Sequence, residues 1–198
     1  MEAPQIIKEQ TNIQEKIENK ENKVSIRLAI GKDCKAIHKC NKASLPVVYE
    51  PTDIIKKILS PVYDIIVAEK DGEIIGYIIT QIIKINEEVY KCHILSIAVL
   101  EEHRRKGIAT TLVNNAFDYC YELYYYQYQM NVNKITLYVE MTNNIARKFY
   151  RKMDFTKGEK MHHYYGKGEH GLMMYKNKPS HDDIKKMNDV KEALKELV

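Results

Sequence analysis

HILSIAVLEEHRRKGIATTLV, residues 93–113, is a buried strand, a basic turn with one glycine, and the start of a helix. From Ile94 to Leu100 nearly every residue is apolar on both alternating faces, which marks a strand covered on both sides and central in its sheet. Glu101, Glu102 and His103 are polar and turn-like, and a helix begins within Arg104–Arg105–Lys106–Gly107–Ile108–Ala109. Ile108, Leu112, Ala116 and Cys120 recur every four residues and give that helix its buried stripe.

The first turn of a helix carries amide hydrogens without an intrahelical partner, at the positive pole of its dipole. Gly107 and Ala109 are small enough to let a ligand approach that backbone, and Arg104, Arg105 and Lys106 add cationic charge. Together they form a cradle for a pyrophosphate. The spacing Arg-x-x-Gly-x-Ala, filled by Arg104, Gly107 and Ala109, lacks the Gly-Lys-Ser/Thr of a Walker loop and the three glycines of a dinucleotide fingerprint. Taken alone, such a basic helix start is also the pattern of a solvated turn. The strand before it and the crossover after it favour the ligand-binding reading.

Working outward toward the N-terminus, residues 24–28 alternate as a first strand. A helix runs through Ala36, Ile37 and Cys40, a loop through Ser44–Leu45–Pro46–Val47–Val48–Tyr49, and a second helix holds Ile54, Ile55, Ile58 and Leu59 before Ser60–Pro61. Residues 64–69, 73–85 and 89–100 read as an antiparallel meander, turned by Lys70–Asp71–Gly72 and Asn86–Glu87–Glu88, with Gly76 a bulge or close-packing point. Toward the C-terminus, the helix of about 106–126 crosses to a strand at 134–140, which implies parallel pairing with the central strand. Asn143 and its neighbours cap a helix whose stripe is Ile145, Ala146, Phe149, Tyr150 and Met153. Residues 155–160 and 171–176 close the sheet, with a loop at 161–169. The fold class is α/β, a mixed sheet of about seven strands flanked by helices, over 24–176. Residues 1–23 read as a charged, disordered tail or loosely docked helix, and 177–198 as an amphipathic helix capped by Ser180.

The chain has 198 residues, 44% of them hydrophobic, enough for one domain with a full core plus tails. A net charge of +4 is too mild for a nucleic-acid binder, and a basic nucleic-acid-binding protein is the most distant alternative. Cys34, Cys40, Cys92 and Cys120 fit neither a zinc site nor a disulfide framework, and read as buried thiols in a reducing compartment. No apolar run approaches the roughly 18 residues of a membrane span. Residues 1–23 contain no apolar core of a secretion signal, so a soluble cytoplasmic protein without a membrane partner is expected.

With strand, Arg-x-x-Gly-x-Ala turn, helix and following strand in place, the chain resembles the GNAT (GCN5-related N-acetyltransferase) superfamily over about residues 24–176. The wording HILSIAVLEEHRRKGIATTL is similar in particular to the archaeal Ard-type N-terminal protein acetyltransferases. The resemblance implies a GNAT fold with acetyl-CoA in a splay between two parallel central strands and no metal. It implies backbone contacts to pantetheine at Ile97, Ala98 and Val99, with an amide near Ile97 facing the thioester oxygen. The pyrophosphate would lie on Arg104, Arg105, Lys106, Gly107, Ile108, Ala109 and Thr110, and Asn143 and Tyr150 match further coenzyme contacts.

Acetyl transfer to an amine needs an acceptor for the amine proton, a polarised thioester and a donor for the leaving thiolate. His93, on the central strand, is the first base candidate, and the resemblance pairs it with Tyr138, where relatives carry His or Glu. Glu140, two residues on and on the same face, is the second choice for that role. Tyr150 matches the proposed acid. Leu45–Pro46–Val47–Val48–Tyr49 resembles the NatE-type loop that receives a leading Met. Apolar Val47 stands where the NatA catalytic type has Glu. Pro46, Val47, Tyr49, Leu95, Glu140, Tyr164 and Tyr165 are thus the expected substrate residues, and His162 and His163 are loop residues. The expectation is transfer of acetyl from acetyl-CoA to protein N-termini with Met or another hydrophobic or small first residue, and the resemblance adds the ribosome or nascent chain as partner. The alternatives are a RimI-type ribosomal-protein alanine or a lysine acetyltransferase, and a non-catalytic acetyl-CoA-binding subunit, which Tyr138 and the missing loop Glu support.

Overall fold

The computed structural model describes residues 24–87, 89–178 and the single position 185. The readings of 1–23 as a tail and of the chain after 178 as a helix lie outside these, apart from that one position. The order is β1 (Val24–Leu28), α1 (Cys34–Ser44), α2 (Pro51–Ile58), β2 (Tyr63–Lys70), β3 (Glu73–Lys84), β4 (Val89–Val99), α3 (Ile108–Tyr128), β5 (Asn131–Glu140), α4 (Asn144–Lys152), β6 (Thr156–Gly166) and β7 (Glu169–Asn177). Seven strands form one mixed sheet, in the order β1-β2-β3-β4-β5-β7-β6. The contacts divide the chain into two units, Met1–Ile82 with Ile94–Tyr119, and Ile83–His93 with Cys120–Val198.

In the first unit, α1 and α2 bury Ile37, Cys40 and Ile54 against Ile65, Val67, Ile74, Tyr77 and Ile79 of β2 and β3 and Ala98 of β4. Ile37 and Cys40 are three apart, so one helix face carries both. Arg27 of β1 bonds Asp33 at 2.6 Å and Glu69 of β2 at 2.5 Å, which ties the first strand to the turn that starts α1. Gly76 sits where the backbone is crowded. A Cβ there would come within 3.0 Å of the Ala98 carbonyl, 3.2 Å of Val99 and 3.4 Å of Leu112. The expected close-packing point is therefore real, and the expected bulge lies beside it. Ala68 pairs Gly76 while Glu69 pairs Ile74, leaving Ile75 as the extra residue.

In the second unit, Val132, Ile135, Leu137 and Val139 of β5 are buried together with Leu172 and Met174 of β7. The thiols of Cys92 and Cys120 lie 3.4 Å apart, and both cysteines are fully buried and unbridged. Helix α4 is capped by Met153, and Asp154 just beyond it takes the left-handed conformation (φ 63°) expected of that position.

Four expectations need correction. Helix α3 starts at Ile108, because Arg105 (φ 64°) and Gly107 (φ 82°) both adopt left-handed backbone that a right-handed helix excludes. Ile145 is 81% exposed. Tyr150 is the buried residue of α4, Met153 at its C-cap is buried three residues on, and Ile145 falls beside that i, i+3 row rather than on it. Strand β6 continues to Gly166, so His162, His163, Tyr164 and Tyr165 belong to a strand and not to a loop. Strand β7 spans Glu169–Asn177, longer at both ends than the strand expected at 171–176.

Candidate active site

The turn into α3 is built from backbone. Thr111 N–H donates to the Gly107 carbonyl at 3.0 Å, the first bond of the helix, so the amides of Ile108, Ala109 and Thr110 point out of its open end. Left-handed backbone at Arg105 and Gly107 lets neighbouring amides converge, as in an anion-binding nest. Among the described residues, apart from the chain neighbours, no atom lies within 4 Å of a Cβ placed on Gly107, so the approach to these amides is open. The three cations are not equivalent. Arg104 Nε donates to the Val99 carbonyl at 2.9 Å and Lys106 Nζ to the Glu102 carbonyl at 3.0 Å, so both brace the turn. Arg105 is exposed, and its side chain makes no hydrogen bond or ion pair among the described residues. Ala98 and Val99, at the end of β4, are buried, and Leu95 and Ile97 are half-buried.

In the same unit the loop after α1 leaves Pro46 and Val47 exposed and Tyr49 half-buried. Val47 is 58% exposed. Burial pushes the Tyr49 hydroxyl upward, helped by Tyr63, and Lys57 Nζ lies 5.4 Å from the Tyr49 ring and 4.7 Å from that of Tyr63.

The second unit assembles a row of rings. His93 is buried, and its Nδ1 lies 2.8 Å from the Thr136 hydroxyl on β5. Burial, with Lys91 adding repulsion, lowers its pKa to about 4, so the ring is neutral at physiological pH. Tyr138, two residues along the same face from Thr136, meets His93 edge-on at 5.2 Å between ring centres. Tyr138 stacks at 4.4 Å on Tyr164, and Tyr164 meets Tyr165 at 4.9 Å. Tyr165 Oη closes the row by donating to the Tyr138 carbonyl at 2.9 Å. Burial, then Tyr164 and Glu140, push the Tyr165 hydroxyl up to about 12. Glu140 accepts from the Thr142 hydroxyl at 2.5 Å.

The β6–β7 pairing explains how two consecutive tyrosines join this row. Met161 pairs Gly171 and Gly166 pairs Glu169, five steps on β6 against two on β7, so three residues bulge out. His163 (φ 57°) bends the bulge; its N–H donates to His170 Nδ1 at 3.1 Å, and its own Nδ1 accepts from Gly168 N–H at 2.9 Å. Gly171 makes room, since a Cβ there would come within 3.0 Å of Tyr164. Among the described residues no cluster of three or more His, Cys, Asp or Glu is placed to hold a metal ion.

Asn143 caps α4 by accepting from Ala146 N–H at 3.0 Å. Tyr150 is buried between Phe149 and Phe155, with ring centres at 5.0 and 5.3 Å, and burial raises its hydroxyl far above the ordinary range. The sequence reading missed Thr136, the partner of His93. Its signal was present, since strand alternation puts residues 136, 138 and 140 on one face. It also missed Asn41, Tyr77 and Ser96, which carry buried polar groups in the first unit.

Residues 34–155 match the acetyltransferase (GNAT) family. The chain is 33% identical over 156 residues to the N-alpha-acetyltransferase of Sulfurisphaera tokodaii, an alignment spanning 75% of this chain and 90% of that one. Its fold is similar to that of Ard1 from Thermoplasma volcanium, with a TM-score of 0.66 and 23% identity over 78% of this chain and 98% of the other. It is equally similar to Arabidopsis thaliana NAA60 solved in complex with acetyl-CoA, with a TM-score of 0.66 and 20% identity over 78% and 98%.

Proposed function

Because the chain belongs to the acetyltransferase (GNAT) family, we propose that it is an N-alpha-acetyltransferase. It takes acetyl from acetyl-CoA and places it on the free amino terminus of proteins whose first residue is Met or another hydrophobic or small residue. The observation that carries this reading is His93, a neutral imidazole held by Thr136 and flanked by Tyr138. In the tautomer whose Nδ1–H donates to the Thr136 hydroxyl, Nε2 carries the lone pair that takes a proton. An imidazole with a pKa of about 4 is a weak base. It suits an α-amine, whose pKa is about 7.7–8.0, far better than a lysine near 10.4.

The chemistry then divides by residue. The amides of 107–110 and Arg105 hold the pyrophosphate, and the backbone at 97–99 holds pantetheine, with an amide near Ile97 polarising the thioester carbonyl. The amine nitrogen bonds the acetyl carbon as the carbon–sulfur bond breaks. His93 takes the amine proton, directly or through a water held by Tyr138. Tyr150, protonated at any working pH, supplies a proton to the departing thiolate. Val47 and Tyr49 receive the first side chain, and Tyr164 and Tyr165 hold the substrate backbone. The ribosome, where N-termini emerge, is the site of action this reading favours, with the protein acting in the cytoplasm.

The test is a peptide panel with radiolabelled acetyl-CoA, comparing Met-Leu, Ser, Ala and Lys-containing peptides with free and blocked N-termini. The expected result is label on free Met-Leu N-termini and none on blocked ones. Label on lysine in blocked peptides would replace this reading with a lysine acetyltransferase. Acetyl-CoA binding without product on any peptide would replace it with a coenzyme-binding subunit.

A further inference from the structure

Beneath the 46–49 loop lies a buried polar chain. Asn41, on the inner face of α1, has no exposed surface. Its Nδ2 donates to the Val47 carbonyl at 3.1 Å and to Tyr77 Oη at 2.8 Å, and its Oδ1 accepts from Tyr49 N–H at 2.7 Å. Tyr77, on β3, is also fully buried. Its Oη accepts from Asn41, which leaves its own hydrogen for Ser96 Oγ on β4 at 2.7 Å. From the outer side, His38 Nδ1 lies 2.8 Å from the Tyr49 carbonyl and can only donate to it. Every donor of the Asn41 amide is used, and two of its three bonds go to backbone of a loop whose tip is exposed.

An apolar side chain would fill position 41 at lower cost, as Ile37 and Cys40 do on the same helix, because a buried amide must recover its lost hydration through hydrogen bonds. What the amide adds is position. A loop without secondary structure of its own has its carbonyl at 47 and its N–H at 49 fixed to one rigid group, which is itself fixed to two sheet strands. Such bracing holds a recognition loop ready before its ligand arrives.

We infer that Asn41 is a positioning residue for the amine substrate, setting the backbone of 47–49 and so the wall that meets the first side chain, with Tyr77 and Ser96 setting Asn41. The inference rests on the proposed role of Val47 and Tyr49 and deepens it. It also predicts that selectivity for the first residue is tuned from inside the domain as well as from the loop itself.

The test uses the full chain with Asn41→Ala and, since a buried truncation can impair folding, Tyr77→Phe, which removes one hydroxyl and keeps the ring. Losing about 1–1.5 kcal/mol of hydrogen bonding corresponds to roughly a tenfold change. Asn41→Ala should therefore raise the KM for a Met-Leu peptide about tenfold and quicken hydrogen exchange at the Tyr49 amide, with the KM for acetyl-CoA within about twofold. Tyr77→Phe should move both in the same direction by a smaller factor. A purely structural role would instead raise both KM values together or neither, and either outcome overturns the inference. If Val47→Glu weakens peptide binding while Asn41→Ala and Tyr77→Phe do not, the loop keeps its proposed role and the inference alone falls. If the wild-type protein acetylates no peptide N-terminus, the proposed function falls and takes the inference with it.

Discussion

The turn into α3 and the row of rings on β4, β5 and β6 are two recognition surfaces made by opposite means. The first is backbone: three amides at a helix start, two left-handed residues and one exposed arginine. The second is side chain: one neutral imidazole and three tyrosines, brought together by a strand face and a bulge. Backbone donors cannot titrate or change rotamer, so the first surface suits an invariant anion. Rings can shift and carry hydroxyls of tunable acidity, so the second suits proton movement and a variable chain. The contrast teaches that mutation should separate them cleanly, one set of residues moving coenzyme affinity and the other moving turnover.

The sharpest way to break that contrast is the double variant His93→Ala, Tyr138→Phe. Loss of a positioned base lowers kcat by about 10²–10⁴, and acetyl-CoA affinity should stay within twofold of wild type. Steady-state kinetics beside calorimetry reads both. A double variant with unchanged turnover would remove these two residues from the chemistry.

Next in size is Arg105→Ala. A charge-assisted contact to phosphate is worth somewhat more than a neutral hydrogen bond, but this one is exposed. The KM for acetyl-CoA should rise roughly three- to tenfold, with kcat unchanged and the penalty shrinking at high salt. The same change at Arg104 or Lys106 should act through the turn, since both side chains already serve carbonyls there.

Much of this was legible in the sequence, and the division follows the same contrast. Gly107, the basic run and the apolar stretch before it announce a backbone feature within about ten residues, so local pattern suffices. The central strands were readable for a similar reason, as β2, β3, β4 and β5 each carry their own apolar run. The row of rings was only half readable. Tyr164 and Tyr165 were singled out by resemblance, but the GKGE turn and two histidines hide a bulged strand behind a loop-like composition. What made it a strand was the His163–His170 hydrogen bonding and the space above Gly171, both of which need the partner strand. Thr136 and Asn41 were missed for one reason: a polar residue in a buried row is invisible as a site until its partner from another element is known.

The last effect concerns stability rather than activity. In the folded protein His93 stays unprotonated down to about pH 4, whereas in the unfolded chain it takes up a proton near 6.5. Between those values the unfolded chain binds more protons, so acid favours unfolding. The contribution of this group to stability should rise from pH 4 to 6.5 and level off above. Urea unfolding of His93→Gln against wild type should show that part of the slope removed; equal slopes would mean the ring is solvated.

The measurement that bears most directly on the account is a nitrogen–proton NMR titration of the full chain with acetyl-CoA, following backbone amides one by one. The amides of Gly107, Ile108, Ala109 and Thr110 should move furthest and saturate together with the heat of binding. Saturable binding that leaves those four amides unmoved would contradict the assignment of the helix start as the pyrophosphate site.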